Sequence, residues 1–171
     1  MVSTKVDIWV ADTCSIVEVR RVFPKDADQV RVYKRLQAMV VASEYCFPKQ
    51  VVGELEALRS TRGPDRPLEF VKNNESNACV HPIPYSLVVD ILKEVPGVLD
   101  HKKVATHDEA DPYVLALAIL LAEQGHQVTL LTDERKDNPS KMSMNTACGI
   151  LRLPCMPTRT FLQRSGILPS P

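Results

Sequence analysis

Short apolar runs typical of buried strands alternate along this chain with longer runs of helical periodicity. VDIWVA at 6–11 and QVTLLT at 127–132 are such strand-like runs, and several helix-like segments separate them. This order is typical of a parallel sheet covered by helices on both faces, because each parallel connection needs a crossover. We therefore predict an α/β fold, a three-layer α/β/α arrangement around a central, mostly parallel sheet, with residues 1–171 forming a single domain.

Caps, prolines and periodicity predict where the elements begin and end. A helix is expected from about Ser15, because Ser is a good N-cap, and Pro24 ends it. Gly166 is expected to stop the last helix. Further helices are predicted over 25–43, 48–60, part of 63–74, 85–95, 110–125, 145–151 and 158–166, and further strands over 45–47, 152–156 and, more weakly because of its prolines, 78–83.

Composition excludes several classes of protein. Lys and Arg number 21, as do Asp and Glu, so a uniformly basic nucleic-acid binder is not expected. Five cysteines without a CxxC pair favour reduced thiols, and the four histidines (81, 101, 107 and 126) show no metal-ligand spacing. The longest apolar run, 114–122, is far shorter than the roughly 20 residues that cross a bilayer. With a start too charged for a signal peptide, the chain is expected to be a soluble cytoplasmic protein without a membrane segment.

Four acidic residues stand at places that a parallel sheet would bring together. Asp12 and Asp133 follow strand-like runs, and Asp111 opens the apolar helix of 110–125. Glu54 lies on or beside the apolar stripe of a helix, where a charge is costly unless it is paired. Because sites in open α/β sheets form beyond the carboxyl ends of the strands, these four carboxylates are expected to meet there. Such a group would bind Mg²⁺ or Mn²⁺, which favour oxygen ligands.

Each of these acids also has a structural explanation. Asp12 could cap the helix that follows it, and Asp111 could be the N-cap ahead of Pro112. Asp133 could belong to an ordinary turn, and Glu54 could pair with a nearby Arg or Lys. The metal-site interpretation depends on all four acids occurring together.

Four motifs, in this order, resemble the PIN-domain nucleases: VADTCSI, VVGELEAL, ADPYVLALA and LLTDERK, which fall between residues 8 and 136. The longer run 109–136, with 151–168, resembles a PIN-like family of prokaryotic proteins without an assigned function. By matching position, the resemblance implies that Asp12, Glu54, Asp111 and Asp133 are the catalytic, metal-binding acids. It also implies supporting hydroxyls from the residues Thr13, Ser15 and Thr132.

The resemblance implies a PIN-like fold and a metal-dependent endoribonuclease that cleaves RNA. Many relatives are toxins of toxin–antitoxin pairs, so a cognate antitoxin and a homodimer are implied partners. Three positions depart from the family pattern: Cys14 replaces a common Asn and gives up a polar contact, Pro112 replaces a small residue, and Asn145 stands where some relatives carry another Asp. The missing fifth acid at Asn145 favours the alternative of a PIN-like binding module that is catalytically weak and acts through a protein or RNA partner.

Basic residues flank the acidic motifs and could hold a phosphate backbone. The alternative is a solvated mixed face, because Glu18, Asp26 and Asp28 are interleaved with them. A phosphatase or receiver with a nucleophilic Asp12 is a third hypothesis, but the second Asp that such a phosphatase would use two residues later is Cys14. The basic residues are Arg20, Arg21, Lys25, Arg31, Lys34 and Arg35, followed by Arg59, Arg62 and Arg66.

Overall fold

A computed structural model describes residues 6–103 and 108–170 of the chain. Four strands in the described residues form one all-parallel sheet in the order β2-β1-β3-β4, so the predicted α/β fold is confirmed. The strands are β1 (Asp7–Ala11), β2 (Tyr45–Cys46), β3 (Gln127–Leu131) and β4 (Cys155–Met156).

Eight α-helices in the described residues cover this sheet. One group, α1, α2, α4 and α8, packs together, and α5 packs on α6, which in turn contacts the two central strands. This is the three-layer arrangement expected from the alternation of strands and helices. The helices are α1 (Thr13–Val22), α2 (Asp26–Val41), α3 (Lys49–Ala57), α4 (Arg66–Ala78), α5 (Tyr85–Glu94), α6 (Asp111–Glu123), α7 (Met144–Ile150) and α8 (Thr158–Arg164).

The central strands β1 and β3 are paired over their full lengths, from Asp7 opposite Gln127 to Ala11 opposite Leu131. Both strands therefore end at the same edge of the sheet. The hydrogen bond from the Asp12 backbone N–H to the Leu131 carbonyl, 3.2 Å long, continues the pairing one residue further. The segments after β1 and β3 consequently leave the sheet side by side, as the sequence predicted.

Helix α6 is apolar on all sides, which is typical of a helix buried within a domain. Most of its residues are buried, and α5 and the central strands pack around it. Gly125 ends it with a φ of 92°, a left-handed conformation that suits glycine, and the chain then turns into β3. The helix thus begins at the edge of the sheet where β1 ends.

Two predicted elements differ from the structure. Asp12, not Ser15, is the N-cap of α1, because its side chain accepts the Ser15 backbone N–H, and the helix begins at Thr13. Residues 79–84, all within the described part of the chain, connect α4 to α5 without forming the predicted weak strand. Pro82 and Pro84 cannot donate to a sheet ladder, which explains that difference.

Gly166 follows the end of α8 with a φ of 66°, as predicted for its role as a stop.

None of the helices within 6–103 and 108–170 has both the length and the apolarity to span a membrane.

Candidate functional site

Asp12 is a buried carboxylate at the carboxyl end of β1, with a residue exposure of only 2%. Its Oδ1 accepts the Ser15 backbone N–H at 2.7 Å, and the Cys14 thiol donates to both carboxylate oxygens at 3.1 Å. Burial raises the pKa of Asp12 to about 6, although hydrogen bonds from Thr132, Cys14 and Ser15 lower it. Asp12 is therefore a helix cap and also an acid that ionises at a cost.

Cys14 does not give up the polar contact, contrary to the sequence-based prediction. Its thiol donates to Asp12, lies 3.6 Å from the Thr132 hydroxyl and accepts the Asp133 backbone N–H at 3.3 Å. Burial, followed by the charge of Asp12, raises the pKa of this thiol far above its ordinary value. Cys14 is therefore a neutral donor to the acid.

Asp111 is the first residue of α6, and Ala110 precedes it as the cap position, so the predicted N-cap role of Asp111 is wrong. Its Oδ2 instead lies 2.5 Å from the Lys141 ammonium. Burial raises the pKa of Asp111 to about 7 even though Lys141 lowers it, and the charges of Glu134 and Asp12 raise it further. Because Asp12 and Glu134 affect this pKa, the three carboxylates belong to one electrostatic site.

Two members of this site, Glu134 and Lys141, were not among the predicted residues. The Lys141 ammonium bridges Asp111 and Glu134, with a distance of 2.7 Å to Glu134 Oε1, and its side chain is 12% exposed. Burial lowers the pKa of Lys141, but the two carboxylates outweigh this effect and hold the pKa above its ordinary value. Lys141 thus lies in the site as a charged ammonium.

Backbone N–H groups at the start of α7 and the Thr132 hydroxyl fix Glu134. Its Oε2 accepts the Met144 backbone N–H at 3.1 Å, and its carbonyl accepts the Asn145 N–H at 3.1 Å. The Glu134 N–H donates in turn to the Thr132 hydroxyl at 3.2 Å. Asn145, where some relatives carry an acid, therefore lies beside a residue that does supply a carboxylate.

Glu54 links the segments that carry the two buried acids. Its Oε2 accepts the Thr13 hydroxyl at 2.5 Å, and its Oε1 accepts the Ala110 backbone N–H at 2.9 Å. Thr13 follows Asp12 and Ala110 precedes Asp111, so one side chain holds the starts of α1 and α6 together. In the described part of the chain these two hydrogen bonds satisfy Glu54, so the alternative of a pairing with Arg or Lys is not what the structure has.

Asp133 uses its carboxylate at the start of α8. Both oxygens accept the Thr158 backbone N–H, at 3.2 and 3.3 Å, and Oδ2 also accepts the Thr158 hydroxyl. That hydroxyl lies 3.2 Å from the Ser15 carbonyl as well, which connects α8 to α1. Asp133 therefore caps the start of α8, and Thr158 connects α8 to α1. The role of Asp133 as a metal ligand stays a prediction.

Arg21, Arg31 and Arg66 each form ion pairs with acidic side chains. Arg66 contacts Asp26 and Glu69, and both partners are at least half exposed. Arg20 and Arg21 lie in the last turn of α1, about 12 Å along the helix axis from Asp12 at 1.5 Å per residue. The described residues therefore favour a solvated mixed face over a basic patch at the acidic pocket.

Within 6–103 and 108–170, no three His, Cys, Asp or Glu side chains are grouped closely enough to hold a metal ion. The four predicted acids separate into a buried cap (Asp12), a lysine-paired acid (Asp111), a link between helices (Glu54) and a second cap (Asp133). His107 lies outside the described residues.

No family model and no curated protein matches this chain.

Proposed function

We propose that this chain is a metal-dependent endoribonuclease that cleaves RNA phosphodiesters at the edge of the sheet where β1 and β3 end. The observation that carries the proposal is the pair of buried carboxylates, Asp12 and Asp111. Each has a pKa raised by burial, and the charge of Asp12 adds to the upward shift at Asp111. Buried acids with perturbed pKa values are costly in a purely structural role and are typical of functional sites.

The donor set is chemically suited to Mg²⁺ or Mn²⁺. Asp12, Asp111 and Glu134 supply carboxylate oxygens, which hard divalent cations prefer over nitrogen or sulfur. The Lys141 ammonium lies against Asp111 and Glu134, so a metal ion bound at these oxygens would have to displace it or share them with it. Asp12 and Asp111 are the residues that would hold the ion, and Glu54 links the starts of α1 and α6, where these two acids stand.

A bound divalent cation supplies an activated water and neutralises charge that develops on the phosphodiester. The chain's own residues orient the acids. Ser15 and Cys14 donate to the oxygens of Asp12, and Glu54 accepts the Thr13 hydroxyl, one residue after Asp12, and the Ala110 N–H, one residue before Asp111. The substrate in this proposal is RNA, in a cytoplasmic setting, with an antitoxin protein or a second copy of the chain as the regulatory partner.

Cleavage of a labelled single-stranded RNA in Mn²⁺, with a chelator control, tests the proposal. Asp12→Asn and Asp111→Asn are each expected to lower the rate by about 100-fold or more, because each removes a carboxylate that would hold the divalent cation. Asp90→Asn, which changes an exposed acid on α5, is the matched control and should cleave like the wild type. Wild-type rates from the Asp12→Asn chain would refute the assignment.

The second candidate is a PIN-like binding module that is catalytically weak. Lys141 supports it, because its ammonium occupies two of the three carboxylates, and Asp133 supports it, because that acid caps α8. A titration with Mn²⁺ followed by thermal unfolding separates the two functions. A chain that gains no stability from Mn²⁺ while remaining folded would leave only the binding module.

A further inference from the structure

Two of the free cysteines lie on neighbouring elements, Cys148 on α7 and Cys155 on β4. The Cys155 thiol donates to Asn145 Oδ1 at 3.5 Å. Asn145 and Cys148 are three residues apart on α7, a spacing that places two side chains on the same face of a helix, with about 5–6 Å between their Cβ atoms. The Cys155 thiol therefore packs against the face of α7 that carries Cys148.

The backbone brings Cys155 back beside Cys148. After α7, Arg152 adopts a left-handed φ of 56°, and the Leu153 N–H donates to the Cys148 carbonyl at 2.9 Å. Such a hydrogen bond ends the helix and reverses the chain. Cys155 then pairs with Leu130 of β3 in the parallel sheet. Both cysteines are thus held by backbone hydrogen bonds of their own elements.

The two thiols also interact with each other. Burial raises the pKa of the Cys148 thiol, and the charge of Cys155 and a hydrogen bond with the Cys155 thiol raise it further. A hydrogen bond between thiols brings their sulfur atoms into contact, so a disulfide of about 2.05 Å needs only a small further approach. The thiol of Cys79 differs in this respect, because it donates to the Phe47 carbonyl at 3.1 Å.

The two thiols differ in their access to solvent. Cys148 is fully buried, whereas Cys155 is half-buried. A reagent in solution therefore meets Cys155 first, and Cys148 lies ready to displace whatever Cys155 has bound. An accessible thiol beside a second, resolving cysteine is the arrangement found in reversible redox sites.

We propose that Cys148 and Cys155 form a reversible redox site, in which a low-molecular-weight disulfide such as oxidised glutathione converts the two thiols into a disulfide that joins α7 to β4. The Cys155 thiolate attacks one sulfur of the small disulfide, breaks its S–S bond and releases one thiol. The Cys148 sulfur then attacks the Cys155 sulfur of this mixed disulfide and releases the second thiol. The two cysteines are oxidised, the small disulfide is reduced, and each cysteine proton ends on one of the released thiols.

The disulfide would connect the two elements that hold the segment after β3. The Met144 N–H, at the start of α7, donates to Glu134, and the Thr158 N–H, two residues after β4, donates to Asp133. A covalent bond between α7 and β4 would therefore fasten both anchors of that segment to each other. This inference does not depend on the proposed nuclease function, because it concerns only the thiols.

The test incubates the reduced, full chain with an excess of oxidised glutathione, alkylates the remaining thiols after denaturation and measures the intact mass. Of its five thiols, the wild type is expected to keep three that can be alkylated, and to retain no glutathione. Dithiothreitol should restore all five. A peptide map should place the disulfide between Cys148 and Cys155.

Single substitutions separate the two roles. Cys148→Ala removes the resolving thiol, so Cys155 is expected to remain as a mixed disulfide with one glutathione. Cys155→Ala removes the accessible thiol, so its four other cysteines should all stay reduced. Cys46→Ala changes a buried cysteine outside the pair and is the matched control, which should still form the disulfide. Cys148→Ser replaces Cys148→Ala if circular dichroism shows that the alanine variant is unfolded.

Several results would overturn the inference. These are a folded wild type that keeps all five thiols, a wild type that retains as much glutathione as Cys148→Ala, and a disulfide mapped to Cys46 and Cys79. If neither variant of Cys148 folds, the thiol count and the peptide map of the wild type decide the question. A failure of RNA cleavage in Mn²⁺ would refute the proposed function and leave the redox site standing, because the covalent state of the thiols is measured without metal or RNA.

Discussion

Replacing Asp12 with Asn is expected to stabilise the metal-free chain at neutral pH, although it removes a carboxylate from the candidate site. Burial raises the pKa of Asp12 from 3.8 to about 6, so the folded state binds this proton more tightly than the unfolded state does. The associated stability is fully present below about pH 4 and is lost as the pH rises through about 6. At 1.36 kcal/mol for each pKa unit, the loss is about 3 kcal/mol.

Asn keeps the structural role of Asp12, because it is as good an N-cap and its carbonyl can accept the Ser15 N–H. It is neutral at every pH, so it avoids the loss above pH 6. The free energy of unfolding of Asp12→Asn should therefore exceed that of the wild type by up to about 3 kcal/mol at pH 7 to 8, and the difference should disappear near pH 4.

Urea unfolding in a chelating buffer measures this difference, with the fluorescence of Trp9, the chain's single tryptophan, as the signal. Trp9 lies in β1, two residues before the end of the strand that Asp12 follows, and packs on Phe161 of α8. Asp90→Asn is again the matched control and should change the free energy of unfolding by no more than about 0.5 kcal/mol at any pH. A difference between Asp12→Asn and wild type that stays constant between about pH 4 and pH 8 would refute the role assigned to burial.

Two further predictions concern the packing of α8 on the sheet. Thr158→Val keeps the shape of the side chain but removes the hydrogen bonds from its hydroxyl to Asp133 and to the Ser15 carbonyl. The free energy of unfolding measured in urea should fall by about 1–3 kcal/mol. A fall of less than about 0.5 kcal/mol would contradict this role of the hydroxyl. Phe161→Ala leaves a cavity against Trp9 and should lower the free energy of unfolding by about 3–5 kcal/mol. The fluorescence emission of Trp9 in the native state should also change, and an unchanged emission would contradict this packing.

The fold could be predicted because hydrophobic periodicity and the crossover rule act through the chain itself. The runs at 6–11 and 127–132 became neighbouring parallel strands, and the apolar run from Asp111 became the buried helix α6. The weak strand at 78–83 failed because its apolar residues favoured a strand while Pro82 and Pro84 prevent pairing. The apolar pattern and the prolines predict different structures for this segment, and the missing N–H groups of the prolines determine which one forms.

The site was only partly predictable, because its charged contacts depend on how an irregular segment folds. Asp12 and Asp111 could be located from the ends of a strand and a helix. Sequence alone could not choose between the neighbours Asp133 and Glu134, and one caps α8 while the other pairs with Lys141. Lys141 stands in a segment without periodicity, so only the hydrogen bonds that tie that segment reveal where its side chain lies.

The two buried acids differ in how their charge is compensated, and that difference indicates where a cation would stabilise the protein most. Asp111 has the Lys141 ammonium as a partner. The donors to Asp12 in the described residues, Ser15, Cys14 and Thr132, are all neutral, so the cost of ionising Asp12 is not offset by a positive charge. The pH-dependent loss of stability at Asp12 and the proposed affinity for a divalent cation therefore have one physical origin, a buried carboxylate without a cationic partner among residues 6–103 and 108–170.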